Sequence, residues 1–321
     1  MSTSGQKLKA PGMEDVGARV SIRLRDPEYG LRDVLGVLET PNTVRRKNGD
    51  LWKFTYSDIV AWRIVPKVIS RAGTGAPFSL RITELEEVAE RTWPAAQLVD
   101  LHGWRLRISD GFTFRANSIR PTTRAPYGLI DCDLDTLLET SILKYRERAL
   151  TPAFHLALPT YQKLAEVLEE RGWHCPVEAH VMVADRDAIT LPAIPTDFAV
   201  EILEEPTLEW LSVQGEIRGR EVMAGYPSKY FAIRGQDSNE WIAVGRISEA
   251  DGWAFLTRLF VRPEFRGFGV SKVLVAAMIQ DCAVDKIALQ VDITNSVAIG
   301  LYKSLNFRVH HNYRYLTLAG Q

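Results

Sequence analysis

Arg266-Gly267-Phe268-Gly269-Val270-Ser271 is the stretch of this 321-residue chain best suited to chemistry. It lies between an apolar, β-branched run, LTRLFV, and a helix-forming run, SKVLVAAMI. Glycines at a strand-to-helix turn let successive N–H groups face one concavity at the positive end of a helix. A pyrophosphate fits such a site, and Arg266 adds a fixed positive charge at its rim. The stretch is not a P-loop, which needs G-x-x-x-x-G-K-[ST], nor the dinucleotide fingerprint, because Ser271 and Lys272 stand where the third glycine should approach. A glycine-rich turn that only reverses the chain is the plain alternative.

Two more segments narrow the reading. The strand run ends in Val261-Arg262-Pro263, directly before the loop, and 26 residues past Gly269 comes Asn295-Ser-Val-Ala298-Ile-Gly-Leu301-Tyr302, followed by Asn306-Phe307. In order, the V-x-P-x-x-R-G-x-G-V loop, a helix, a strand, an N-x-x-A-x-x-L-Y-x-x-x-x-F helix and a closing strand resemble the GNAT acetyltransferase superfamily over about 195–321. Ser271 replaces the usual Gly or Ala, and Asn306 the usual Gly before Phe307; Asn tolerates the left-handed backbone that a helix end often needs.

The resemblance implies acetyl-CoA as cosubstrate and no metal. The backbone of Leu259, Phe260 and Val261 would bind its acetyl and pantetheine end. The N–H groups of Arg266, Gly267, Phe268, Gly269, Val270 and Ser271 would hold its pyrophosphate, with Asn295 and Tyr302 on the other side. Acetyl transfer to an amine needs a neutral amine, a polarised carbonyl and a protonated leaving thiolate. An N–H near Val261 suits the second need. Tyr302 suits the third, unless it is simply an aromatic packed beside Leu301 and Leu305. The base stays open among Asp292, Glu216, Glu221, His310 and His311, since the strand WAFLTRLFV carries no carboxylate. Arg258 either binds a substrate carboxylate or closes a salt bridge. With Arg246 and Arg218 it favours a glutamate-like acceptor.

The elements that must position these residues belong to more than one domain. Length suits two or three domains, and 46% hydrophobic with 25% charged residues excludes wholesale disorder. Residues 1–70 read as short strands separated by Asp/Gly/Asn/Pro clusters, with a hairpin signal at Asn48-Gly49-Asp50, and suit a small β-barrel of Tudor or chromo-like type. A Gly/Ala/Ser/Pro linker follows at 69–79. Residues 80–190 read as a helix, a hairpin about Asp110-Gly111, then helix, strand, helix and strand. Subtracting 134 from the numbering carries Phe307 to Trp173, Asn306 to Gly172, Tyr302 to Leu168 and Ala298 to Leu164. This segment therefore looks like a degenerate GNAT-like half, without an RGFG loop and with no proton donor at Leu168. The catalytic GNAT domain is expected at 195–321. The fold expected is α/β, a mixed and largely antiparallel GNAT sheet flanked by helices, preceded by the degenerate half and the barrel. Such an arrangement is similar to bacterial small-barrel-plus-GNAT proteins, some of them named N-acetylglutamate synthases.

Charge and cysteine usage limit the partners. Lys+Arg 39 against Asp+Glu 40 leaves a formal net charge of −1, and residues 1–70, with 12 basic and 8 acidic side chains, reach only +4. That argues against nucleic acid. Three scattered cysteines form no metal or disulfide spacing, and no apolar run approaches the ~20 residues needed to cross a bilayer, so a cytoplasmic setting without membrane contact is expected. The function expected is acetyl-CoA-dependent N-acetylation of a small-molecule or amino-acid amine. The alternatives are a protein-lysine acetyltransferase, and a non-catalytic coenzyme A-binding regulator whose barrel grips nucleic acid or peptide.

Overall fold

In the first strands of the chain, β-branched and leucine side chains alternate with arginine and aspartate, which suits a sheet with one covered face. The computed structural model describes residues 10–26, 30–46, 49–65, 78–123, 125–128, 132–195, 197–215, 217–235 and 240–318. Asn48 of the expected hairpin turn, residues 69–77 of the expected linker and Glu216 lie outside them. The chain divides into two units after Ile69. The first is a five-stranded antiparallel sheet: β1 (Arg19–Asp26), β2 (Gly30–Thr40), β3 (Thr43–Arg45), β4 (Leu51–Lys53) and β5 (Ile59–Ile64), ordered β4-β3-β2-β1-β5. Its core is Val20, Ile22, Leu24, Val34, Leu38, Val44 and Phe54.

The second unit opens with α1 (Phe78–Arg91), whose Ile82, Leu85, Val88 and Ala89 recur at helical spacing and are buried. Next come β6 (Gln97–Leu101), β7 (Trp104–Ile108), β8 (Ile119–Pro121), α2 (Leu134–Arg146), β9 (Ala153–Leu158), α3 (Gln162–Glu170) and β10 (Trp173–Asp185). The remainder runs β11 (Phe198–Leu203), α4 (Leu208–Val213), α5 (Arg220–Ala224), β12 (Lys229–Gly235), β13 (Trp241–Ala250), β14 (Trp253–Val261), α6 (Val270–Gln280), β15 (Lys286–Asp292), α7 (Ser296–Ser304) and β16 (Arg308–Leu318).

All eleven of these strands share one sheet, ordered β11-β12-β13-β14-β15-β10-β16-β9-β8-β7-β6. It is antiparallel except at two places, β14 with β15 and β8 with β9. In each half, then, a helix connects two parallel neighbours, α6 in one and α2 in the other. The halves also exchange strands at the centre: β10 of the first half pairs with β15 of the second, and β16 of the second pairs with β9 of the first. The segments 80–190 and 195–321 are thus joined through continuous hydrogen bonding rather than packed as separate sheets. Helix α1 covers the joint, where Leu85, Val88 and Ala89 pack with Val181, Phe255 and Tyr313.

The residues matched by the offset of 134 have matched surroundings. Gly172 and Asn306 both turn left-handed after their helices, at φ 86° and 66°. Leu168 is buried in one core with Trp173, and Tyr302 in the other with Phe307.

Candidate active site

The site grows from the point where β14 and β15 separate. Their parallel ladder covers only Trp253–Leu256 against Lys286–Leu289. Beyond Leu256, the edge of β14 that faces β15 has no strand partner, so its backbone polar groups are open to a bound molecule. On the other edge the pairing with β13 slips between Val244 and Arg246. Arg258 sits at that slip with φ 57°, the left-handed region a branched or long side chain rarely takes. Two contacts pin it: its carbonyl accepts a 3.0 Å hydrogen bond from Gln214 Nε2, and its guanidinium stacks 5.3 Å from the Phe112 ring centre.

Past the slip, Leu259, Phe260 and Val261 line a cleft of ≈ 460 Å³, with Arg266, Gly267 and Ser271 at one end. Gly267 and Gly269 are left-handed at φ 87° and 79°, and a Cβ on either would meet nothing within 4 Å. Gly269 is the N-cap of α6 and supplies no side-chain cap. The N–H groups of residues 267–271 make no backbone hydrogen bond among the described residues. They are the open donors of a helix start, where the dipole favours negative charge. Arg266 donates from Nε to the Val261 carbonyl at 3.0 Å, tying the loop to the end of β14. The far side of the loop tightens through Gly245 of β13, where a Cβ would sit 2.7 Å from Met278 Sδ of α6. A coenzyme pyrophosphate fits this cradle.

The opposite wall is α7. Its N-cap Asn295 accepts a 3.1 Å hydrogen bond from the Ala298 N–H and borders the cleft, as do Ala298, Leu301 and Tyr302. Tyr302 is 6% exposed, and burial pushes its phenol up to about 12, so it holds its proton at neutral pH. Of the residues expected to hold the coenzyme, Val270 also borders the cleft; Phe268, 76% exposed, and Gly269 belong to the loop but do not line it.

A second cavity, ≈ 360 Å³, lies at the residues of β14 just before the slip, Leu256, Thr257 and Arg258. The first half of the sheet supplies Trp93, Phe114 and Arg115 to it, and Gln290, Tyr313 and Tyr315 complete it. Strand β14 therefore serves one cavity with residues 256–258 and the other with 259–261. Of the residues singled out in the sequence, only Arg258 borders this groove. Gln290 carried a signal, a polar residue in the otherwise apolar run IALQV. Arg115 carried none, because a different part of the chain brings it in.

The other sequence candidates lie elsewhere. Asp292 Oδ1 accepts from the Thr294 N–H and hydroxyl at 2.8 and 2.6 Å, closing the turn after β15. His310 Nδ1 is 2.8 Å from His311 Nδ1, and burial, with His311, Arg81 and Arg308 nearby, pushes it down to about 4. His311 Nε2 is 2.8 Å from Glu86 Oε1, and His155 Nε2 is 3.2 Å from the other Glu86 oxygen. Neither Asp292 nor either histidine of the pair lines the cleft or the groove. Arg246, expected to face substrate, is instead fully buried: it donates to the carbonyls of Met223 and Thr92 and lies over Trp93. Arg218 and Glu221 are exposed.

Residues 80–316 match the family described as probable histone acetyltransferase Rv0428c C-terminal. The chain is 25% identical to the probable histone acetyltransferase Rv0428c of Mycobacterium tuberculosis, covering 95% of each protein. It is 26% identical to the uncharacterized N-acetyltransferase YobR of Bacillus subtilis, over 73% of this chain and 98% of that one. Among solved structures, a GCN5-related N-acetyltransferase from Kribbella flavida superposes with a TM-score of 0.60 at 12% identity, covering 75% of this chain and 96% of that one. A tandem GNAT protein from the clavulanic acid biosynthesis pathway superposes at 0.50 and 14%, covering 74% and 88%. These last two likenesses are of fold.

Proposed function

The chain belongs to the Rv0428c C-terminal family and is a GNAT-type acetyltransferase, and from that premise we propose that it moves an acetyl group from acetyl-CoA in the cleft to an amine in the groove. The observation that carries this reading is the sharing of β14, whose consecutive residues border both cavities on either side of the slip at Arg258.

The N–H groups of 267–271 and the positive end of α6 hold the pyrophosphate, with Arg266 at the rim. The open edge of Leu259–Val261 takes the amide-bearing arm and offers an N–H to the acetyl oxygen. Bound there, acetyl-CoA supplies an acyl group activated as a thioester. Tyr302, held protonated by burial, gives its hydroxyl proton to the departing sulfur. No Asp, Glu or His is among the described residues lining the groove. The Arg115 guanidinium instead disfavours an ammonium there, and lowers the pKa of the amine. One proton of the ammonium leaves to water before attack, and the second, lost from nitrogen as the amide forms, returns through water to the Tyr302 oxygen, so Asp292 and His310 take no part in the transfer.

The mycobacterial relative's name favours a second reading, in which the amine is a protein lysine. Release of free thiol from acetyl-CoA, followed over a panel of amines and lysine peptides, tests both. Turnover that depends on an amine supports the proposal. Tight acetyl-CoA binding with no amine-dependent thiol release from any acceptor contradicts it.

A further inference from the structure

Gln290 and Arg115, which border the groove, each carry a hydrogen-bond donor that no described protein group takes up. Gln290 Oε1 accepts from Arg115 Nη2 and, at 3.2 Å, from the Tyr313 hydroxyl, which burial keeps protonated. A flipped amide would set its NH2 against a guanidinium, donor against donor, so the orientation is fixed by its neighbours. That leaves Gln290 Nε2 as a buried donor with no partner among the described residues, and Arg115 Nε is another. A buried donor without an acceptor costs about 1–3 kcal/mol, so two at one cavity mark a place where a ligand's acceptor atoms belong. The charge points the same way: Arg115 brings a guanidinium to the edge of the groove. The walls are aromatic, with Trp93 beneath Arg115 at 5.5 Å and the rings of Phe114 and Tyr315 stacked at 5.1 Å.

We infer that the groove selects a small acceptor bearing a carboxylate or similar anion, gripped by Arg115 and Gln290 across the two halves of the sheet. This rests on the acetyl-transfer reading above, and assigns the first half a direct part in acceptor choice. The aromatic walls take the acceptor's carbon body while the anion meets Arg115 Nε and Gln290 Nε2. A polyamine, or a lysine in a basic peptide, would bring further positive charge to the Arg115 guanidinium and is disfavoured.

The test uses the full chain and a thiol-release assay. α-Amino acids are paired with their carboxamides, alongside putrescine and a basic lysine peptide, and glutarate is titrated by calorimetry as an amine-free anion. The expected result is a kcat/KM at least about 10²-fold higher for carboxylates than for their carboxamides, with glutarate bound. Gln290→Glu, nearly isosteric, should cut that preference at least about 10-fold, and Arg115→Gln should remove it; acetyl-CoA affinity should hold in both, since neither residue borders the cleft. Putrescine or the peptide as best acceptor would overturn the inference and leave the acetyltransferase reading standing, as would an unchanged preference in both variants. Loss of the preference in both supports it. If no carboxylate is acetylated and glutarate does not bind, the inference is overturned, whereas failure of acetyl-CoA itself to bind would sink the underlying reading.

Discussion

Two helices that make the same connection in the two halves of the sheet begin in opposite ways. Helix α6, between parallel β14 and β15, starts at Gly269 with no side-chain cap. Helix α2, between parallel β8 and β9, starts at Asp133, whose carboxylate accepts from the Thr136 N–H and hydroxyl at 2.8 and 2.6 Å. Those bonds hold the Asp133 carboxyl below its usual range. One helix start therefore offers open donors to an anion, while the other has filled the place with its own. The following helices repeat the contrast: Asn295 and Tyr302 border the cleft, while their counterparts Tyr161 and Leu168 are buried in the first half's core. A repeated topology keeps its fold with either set of residues. Of these two helix starts, the one with the uncapped glycine loop leaves its donors open.

Changes that break the contrast should have unequal effects. The largest is expected from Tyr302→Phe, which keeps the ring beside Phe307 and removes only the hydroxyl. A fall in kcat of about 10²–10⁴-fold with acetyl-CoA affinity nearly intact fits a proton donor. A kcat within a few-fold of the parent would make Tyr302 a packing residue like Leu168.

The next effect is on acid stability and belongs to the joint between the halves. His155 of β9 stands where β15 has the apolar Leu289, 134 residues on. Burial holds His155 well below its ordinary 6.5, and pushes His310 down to about 4. The unfolded chain therefore takes up protons below about pH 6.5 that the folded chain refuses, and stability falls as pH drops from there toward 4. Burial opposes the Glu86 carboxylate, while the hydrogen bond from His311 and the charge of Arg120 favour it. Its folded value is lowered, so its contribution is present above about 4.5 and is lost as pH falls further. Tm should drop between pH 7 and 5 in the parent, and less steeply in His155→Leu. Equal slopes would remove His155 from this account.

The smallest effect is expected from Asp133→Ala. Losing an exposed N-cap should lower Tm by no more than a few degrees and leave turnover unchanged. A large loss of turnover would give the first half's helix start a role that its filled cap argues against.

Much of this was legible in the residues, and the misses have physical causes. The loop, both helices flanking the cleft and the exit at Asn306-Phe307 could be read because glycine, a cap and an apolar period each act locally. Strand β6 leaves little trace in the sequence because QLVDL lies at the sheet's edge, where one side of the ladder has no partner to demand a β-branched pattern. The exchange of β10 and β16 left no local trace, since both strands look the same in either sheet position. The groove was the least visible part: Arg115 and Gln290 lie 175 residues apart and meet only through that exchange. A fully buried arginine and a substrate-facing one have the same letter; the carbonyls of Thr92 and Met223 at its guanidinium mark Arg246 as the former.

Whether α6 starts as an open anion site is tested most directly by calorimetry of acetyl-CoA with Gly269→Asp. The substitution places at α6 the kind of carboxylate that α2 already carries. The parent should bind with a Kd in the micromolar to millimolar range, about −4 to −8 kcal/mol. The variant, shown to be folded by its melting curve, should bind at least about 10²-fold more weakly, because like charges would meet at the helix start. Unchanged affinity in a folded Gly269→Asp protein would contradict the assignment of the cleft and the reading of the two halves built on it.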